Sequence, residues 1–250
     1  MKIYVISRPR FQVAEVLQFL ENENTNWRRT NGATDIEEIV EIAGRICYMS
    51  FGEAQSDRTN SEYIRNLILQ GHESVLEHVS WSFIVTGVSR GFTHQLVRHR
   101  VGFSFSQLSQ QYHDESDAKF VQPGIIEKYE RLHAMWNDAV TQTKKSYNEL
   151  IELMNKLELN DEISAKEIRR MKNSAARSVL PNATETKIFI TANARAIRHF
   201  LTVRGSIPGD EEMRKAAVLI FQMVTKDSQS LFADFCVTSL NDDSPIIVKK

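Results

Sequence analysis

A chain of 250 residues with 42% hydrophobic and 25% charged residues and a net charge of −1 is long enough to bury roughly 70–75% of its unfolded surface without disulfide or metal staples. This balance excludes a general nucleic-acid or membrane binder: an anion site has to be local, and no apolar run approaches the roughly 20 residues of a membrane span. Cys47 and Cys236 lie far apart without a metal-ligand spacing, which predicts unpaired thiols in a reducing compartment and a cytoplasmic location.

Met1-Lys2-Ile3-Tyr4-Val5-Ile6-Ser7 has too short an apolar run for a signal peptide and reads as a first strand. Thr34-Asp35-Ile36-Glu37 has the form of a capping box and opens a helix through Ile39, Ile42 and Ala43 toward Cys47. Ser61 is read as opening the next helix, with Ile64, Leu67 and Ile68 inside it and Gly71 as its stop. The following Gly71-His72-Glu73-Ser74-Val75-Leu76-Glu77-His78 is not an HExxH zinc motif, because its second histidine comes six positions after the first, and no metal is expected. His72, Ser74 and Glu77 suit a turn beside a polar ligand instead. Val79, Trp81, Phe83 and Val85 alternate with Ser80, Ser82 and Ile84 as in a half-buried strand. Ser89 then caps a helix holding His94, Gln95, Arg98 and His99, in which positions 94 and 98, and 95 and 99, share faces.

From His78 to His113 there is no Asp or Glu, and this window holds Arg90, Arg98, Arg100 and four of the seven histidines. Guanidinium forks match phosphate and carboxylate, so the local cation excess points to an anion site; the alternative is a surface helix that is merely basic. The Ser-rich Phe103–Tyr112 is too polar for core and reads as an extended strand or a loop. Ile125 to Leu157 is mostly helical, with an apolar stripe of Tyr129, Leu132, Met135, Trp136, Val140, Tyr147, Leu150, Ile151 and Met154 that serves the core or a subunit contact. Another helix runs from near Ile163 to Val179 and must end before Pro181. Of its cations Arg169, Arg170, Lys172 and Arg177, most are expected in solvent, while Arg177 at the end faces a cleft. Lys187–Thr191 reads as a buried strand, and Asn193 caps a helix to Arg204 with Gly205 as its stop. On that helix Ala196, Ile197, Phe200 and Val203 form one face and Arg195 and His199 another, and the free N–H groups at its start suit a phosphate or a polar ring edge. A final amphipathic helix spans Glu211 to Phe232, with a strand at Ile246–Val248. The order predicts an α+β fold over residues 1–250 as a single domain: a central, mainly antiparallel sheet flanked by long helices.

Arg98-His99-Arg100 followed by a Ser/Gln segment ending Ser109-Gln110-Gln111-Tyr112 resembles the signature of the flavin-dependent thymidylate synthases. Gly71–His78 resembles that family's flavin-side motif, Ala176-Arg177-Ser178-Val179-Leu180-Pro181 its nucleotide-binding turn, and Asn193-Ala194-Arg195 through His199 to Arg204 its last flavin and substrate helix. The similarity runs from about Ile39 to Phe235. It implies a homotetramer in which noncovalent FAD and dUMP meet at an interface of several subunits. NADPH reduces the flavin, methylenetetrahydrofolate gives its methylene to the uracil ring, and hydride follows from the flavin; nucleic acid and membrane are not among the implied partners. Carried over residue by residue, Ser74, Arg98, His99, Arg100, Gln107, Asn193, Arg195 and His199 resemble flavin contacts. Gln95, Leu96, Val97, Arg98, Gln107, Leu108, Ser109, Gln110, Gln111, Arg177 and Arg204 resemble nucleotide contacts, Arg204 also being the arginine that polarises the pyrimidine and favours its ionised form. A permanently charged guanidinium that bonds two ring atoms suits that role.

The chain departs from the family pattern in three places. Eight residues separate Arg100 from Ser109 where the family usually has seven, and the extra one fits at Val101-Gly102, where glycine absorbs a bulge. Gln111 stands where the family usually has an arginine for the nucleotide phosphate, a loss of roughly 1–3 kcal/mol unless a neighbour compensates. Weaker nucleotide binding, and tighter binding on Gln111→Arg, are the expectation. Ile207-Pro208-Gly209-Asp210 replaces the usual His-Ala turn after Arg204. Ser109 has no base beside it in sequence, so a hydrogen bond to phosphate or ring is preferred over a nucleophilic role. Two other readings compete: a nucleic-acid module using the basic window and its aromatics, which the net charge and the Asn193–Arg204 match disfavour, and a nucleotide-binding flavoprotein without synthase activity, which Gln111 makes plausible.

Overall fold

The computed structural model describes residues 1–157 and 163–250. Its strands are β1 (Lys2–Ser7), β2 (Ser80–Ser89), β3 (Phe103–Gln107), β4 (Glu185–Asn193), β5 (Phe235–Ser239) and β6 (Pro245–Lys249). Its helices are α1 (Val13–Asn22), α2 (Asp35–Ile46), α3 (Asn60–Leu69), α4 (Arg90–Leu96), α5 (Gly124–Glu127), α6 (Glu130–Asn155), α7 (Ala165–Ala176), α8 (Ala194–Arg204) and α9 (Glu211–Asp227). The architecture is α+β, with a mainly antiparallel sheet in the order β1-β2-β4-β3 and a separate antiparallel β5-β6 hairpin.

The chain divides into two compact units. The first comprises Met1–Lys2, Ile84–Arg98 and Phe105–Phe189, and the second Ile3–Phe83, His99–Ser104 and Ile190–Lys250. In the first, α7 packs along α6, and Val85, Val88, Phe92, Leu96, Tyr147, Ala176 and Ile188 are buried. In the second, α8 packs on α9, β6 and the 3-10 turn Glu73–His78. Trp81, Phe83, Ile190, Phe200, Leu201, Val224 and Phe232 fill its core. Burial of large apolar groups is what holds each unit, at about 1.5–3 kcal/mol for a fully buried side chain.

Local rules account for most boundaries. Thr34 and Glu37 form both arms of the expected capping box at α2. The start of α3 differs from expectation: Thr59, not Ser61, is the cap, because Thr59-Asn60-Ser61-Glu62 is itself a capping box with both bonds made. Its end is a Schellman arrangement, with Gly71 N–H on the Ile68 carbonyl and His72 N–H on the Leu67 carbonyl. Ser89 caps α4 as expected, but the helix stops at Leu96, so Arg98 and His99 lie beyond it and do not share faces with His94 and Gln95. The expected single helix from Ile125 to Leu157 is two, α5 and α6, because Tyr129 is extended at φ −126° and ψ 115°. Within its stripe Val140 and Tyr147 are buried while Tyr129, Leu132 and Met135 are exposed. The next helix ends at Ala176 and passes into a 3-10 turn, Arg177–Val179, ahead of an extended Leu180 that Pro181 requires. The last helix ends at Asp227, five residues early, where the Ser228 hydroxyl and the Ser230 N–H both donate to the buried Glu37 carboxylate. β5 was not expected; it pairs in register with β6, Phe235 opposite Lys249. Both cysteines are free, and among the described residues no helix is long and apolar enough to cross a membrane.

Candidate functional site

In the second unit, strand β4 delivers the chain to Asn193, whose Oδ1 accepts the Ala196 N–H at 2.8 Å and starts α8. Asn193 also fixes the loop that follows Arg98: its N–H donates to the Gly102 carbonyl at 3.1 Å. Gly102 has φ +72°, and a Cβ there would lie 2.7 Å from Asn193 Nδ2 and 2.8 Å from the Ala196 Cβ. Both conformation and space therefore demand glycine, and the close approach seats the Arg100–Phe103 turn on the start of α8. Gly205 ends α8 for a different reason than a left-handed cap. Its φ is −71°, and a Cβ there would meet the Leu201 carbonyl at 2.6 Å.

This packing brings His99 against α8. Its ring lies 5.3 Å from Phe200, 5.9 Å from Phe103 and 6.0 Å from His199, centroid to centroid. Arg204 Nε donates to His99 Nε2 at 3.0 Å. Burial, then the Arg204 charge and His199, push the His99 pKa down from 6.5 to about 4. His99 is thus neutral at pH 7, with its proton on Nδ1 and its Nε2 lone pair holding the guanidinium.

Between pH 6.5 and about 4 the unfolded chain takes up a proton at His99 that the folded chain does not. The stability from the neutral ring is therefore complete above pH 6.5 and is lost as pH falls toward 4. Allowing for partial exposure, denaturant melts should lose on the order of 1–2 kcal/mol from this group between pH 7 and 5. His99→Gln should show a correspondingly smaller loss; equal losses in both proteins would count against a neutral His99.

Arg195 and His199 are exposed on α8, and Arg195 Nη1 is 2.6 Å from Glu77 Oε1, which ties α8 to the turn carrying the exposed Ser74. Arg100 is exposed on the loop. The second unit therefore brings together Asn193, Arg195, His99, His199 and Arg204 around α8.

The first unit holds the remaining predicted residues. Gln95, Val97 and Arg98 are exposed, whereas the Leu96 side chain is in the core and has only its main chain to offer. Gln107 Nε2 donates to Thr93 Oγ1 at 2.9 Å and lies 3.4 Å from Thr186 Oγ1. The Leu108 N–H donates to the Lys187 carbonyl, extending β3 along β4, and its carbonyl accepts from Arg90 Nη1 at 3.3 Å. Ser109 Oγ accepts the Gln111 N–H at 3.3 Å, a turn-forming role. Gln110 is buried beside Glu115, whose pKa is raised, by burial above all. Gln111 is gripped by α7: its side-chain carbonyl accepts from Arg170 Nε and its main-chain carbonyl from Asn173 Nδ2, both at 3.2 Å.

Arg177 is half-buried where α7 gives way to its 3-10 turn. Its positive charge lowers the pKa of Arg90, though burial of Arg90 is the larger cause and Glu115 opposes both. Two guanidinium groups that repel one another beside a turn of main-chain amides can bind an anion. In sequence, Arg90 counts among the cations of the acid-free window without a specific contact, and neither Arg170 nor Asn173 is assigned to a site. The available signal was the acid-free window for Arg90, and for Arg170 its spacing of seven from Arg177, two turns along one helix face.

The family model described as "Thymidylate synthase complementing protein" matches residues 31–228. The flavin-dependent thymidylate synthase of Mycolicibacterium gilvum (strain PYR-GCK) is 40% identical over 240 residues, covering 95% of this chain and 94% of that protein. That of Mycobacterium tuberculosis (strain ATCC 25618 / H37Rv) is 40% identical over 238 residues, with the same coverage of 95% and 94%. The Mycobacteroides abscessus protein of the same name is 39% identical over 242 residues, 96% of this chain and 94% of its own. With the matched region containing the Arg98–Gln111 stretch, the Arg177 turn and all of α8, the chain belongs to the flavin-dependent thymidylate synthase family.

Proposed function

We propose that this protein synthesises dTMP from dUMP, with methylenetetrahydrofolate as the one-carbon donor and FAD, reduced by NADPH, as the hydride source. The observation that carries the reading is the His99–Arg204 pair: a neutral imidazole holds a permanently charged guanidinium in one orientation at the end of α8. Such a group, fixed before substrate arrives, stabilises charge on a pyrimidine carbonyl without reorganising.

The residues suit a dinucleotide flavin. Exposed Arg100, Arg195 and His199, with exposed Ser74, form a donor set for a pyrophosphate and ring edges, and the Gly102–Asn193 approach leaves the loop main chain uncovered by a side chain at 102. When bound, FAD supplies hydride, chemistry that protein side chains cannot. Arg98, His99, Arg100, Gln107, Asn193, Arg195 and His199 would hold it. Gln95, Arg98, Gln107, the main chain of Leu96, Val97 and Leu108, the Ser109–Gln111 turn and Arg177 would hold dUMP.

Self-association as a homotetramer is part of the same reading. The exposed Ile125, Tyr129, Leu132 and Met135 give the first unit an apolar surface suited to a subunit contact. A cytoplasmic location without nucleic-acid or membrane partners accords with the net charge of −1.

The test is a visible spectrum of the purified protein followed by tritium release from ring-labelled dUMP with methylenetetrahydrofolate and NADPH. A flavin band and nucleotide-dependent release are expected; a colourless protein that releases no tritium would overturn the proposal.

A further inference from the structure

In the first unit, Arg170, Asn173 and Arg177 are spaced i, i+3 and i+7, so they lie on one face of α7 and its continuation. That face meets the turn after β3. Asn173, 5% exposed, holds the Gln111 carbonyl, and Arg170 Nε holds the Gln111 side-chain oxygen. One residue is thereby gripped at both main chain and side chain by partners 62 and 59 residues away. The Tyr112 ring lies 5.8 Å from the Arg170 guanidinium and limits its movement on another side.

The chemistry of the grip matters. An amide oxygen accepts one guanidinium N–H and cancels none of its charge, whereas a carboxylate at position 111 would neutralise it. Glu167, about half exposed, pairs with Arg170 Nη1 at 3.5 Å, a long ion pair in partly solvated surroundings. A planar guanidinium has five N–H donors, so with one on Gln111 and one on Glu167 others remain for a further partner. At the same turn Arg90 donates to the Leu108 carbonyl, and Arg177 is close enough for its charge to act on Arg90. The Arg177 charge acts on Arg90, offset in part by the Glu115 carboxylate, so both guanidinium groups add positive charge near this turn.

We propose that Arg170 is a nucleotide-binding residue: Gln111 holds its guanidinium beside the Leu108–Gln111 turn, where with Arg177 it binds the monoester phosphate of dUMP. This rests on the dUMP reading given above. It also reverses the expectation that Gln111 merely weakens the site, since the cation comes from α7, and Gln111 is a positioning residue for it. Gln111→Arg on its own then sets two guanidinium groups against each other and fails to tighten binding.

Calorimetric titration of the purified full-length protein with dUMP and, separately, with deoxyuridine tests this. Arg170→Gln is expected to raise the Kd for dUMP about tenfold, equivalent to ~1.4 kcal/mol, and to leave deoxyuridine binding unchanged. Arg170→Lys should fall between. Adding Gln111→Arg to Arg170→Gln should regain most of the loss, a non-additive result that independent sites would not give. Unchanged dUMP affinity in Arg170→Gln, equal weakening for dUMP and deoxyuridine, or tightening by Gln111→Arg alone would overturn the proposal. If the unaltered protein binds no dUMP, the proposed function falls, and this inference with it; that outcome is read before any substitution is made.

Discussion

Replacing Arg198 by methionine is expected to destabilise the fold by about 3 kcal/mol. Arg198 is 3% exposed, and its Nη1 and Nη2 bond Asp234 Oδ1 and Oδ2 at 2.6 and 2.7 Å, while Nη1 also donates to the Leu231 carbonyl at 2.6 Å. Its guanidinium lies 5.1 Å from the centre of the Phe235 ring, and Glu73 Oε1 is 3.8 Å from Nη2. Methionine fills much of the volume but leaves the Asp234 carboxylate without its fork-shaped partner and the Leu231 carbonyl without a donor. Asp234 remains about a quarter exposed, so water recovers part of the loss, which is why the figure stands at the low end for a broken buried pair. Its pKa tells the same story. Burial alone would raise it, and the hydrogen bonds and charge of Arg198 lower it overall, so the stability that this carboxylate contributes is lost as pH falls through its depressed folded value. Chemical denaturation should show the 3 kcal/mol loss in Arg198→Met and a smaller one in Arg198→Met with Asp234→Asn, where no charge is stranded. A double variant at least as unstable as the single one would show that the cost is packing, not charge.

Arg198 also illustrates which features were legible in the sequence. Its neighbours on α8 could be read from local rules: Asn193 as a cap, Phe200 on the apolar face, Arg195 and His199 on the polar one. Arg198 itself breaks the amphipathic pattern, and its reason, Asp234, lies 36 residues on, in the turn just before β5, a strand that was not anticipated. Arg170 is the same case with Gln111. A helix face is visible in spacing, but whether it looks at solvent or at a partner 59 residues away is decided by tertiary packing. Thr59 is the opposite case, a purely local signal: Thr59 and Ser61 are both capping residues by type, and the Thr59–Glu62 capping box decides between them. The helix breaks at Tyr129 and Ser228 have no proline to announce them; the second is set by hydrogen bonds to Glu37, nearly 200 residues earlier in the chain. The motif stretches were legible because each is built from neighbours in sequence, and the Gly102 turn seats Arg100–Phe103 on the start of α8 through one conformation that only glycine adopts easily.

Arg204→Leu should abolish most dTMP formation, lowering single-turnover rate by roughly a hundredfold or more, the scale of removing one preorganised donor from a site of charge development. Arg204 is half-buried at the end of α8, with Nε committed to His99. That commitment turns the rest of the guanidinium in a fixed direction, so the effect belongs to the transition state more than to binding, and kcat should fall further than KM rises. Lysine at 204 keeps the charge but has neither the fork nor the Nε–H, and should recover only a small part of the rate. The same substitution has a second, independent readout. The Arg204 charge is the next largest cause, after burial, of the depressed His99 pKa, so in Arg204→Leu the His99 ring should titrate nearer its ordinary value, followed by proton NMR of the ring signals. The two readouts separate the possible outcomes. A lost rate with His99 shifted places Arg204 as the charge that both the ring and the reaction feel, whereas a shifted His99 with turnover within about tenfold of the unaltered protein would leave the pair as a structural contact and remove Arg204 from the chemistry.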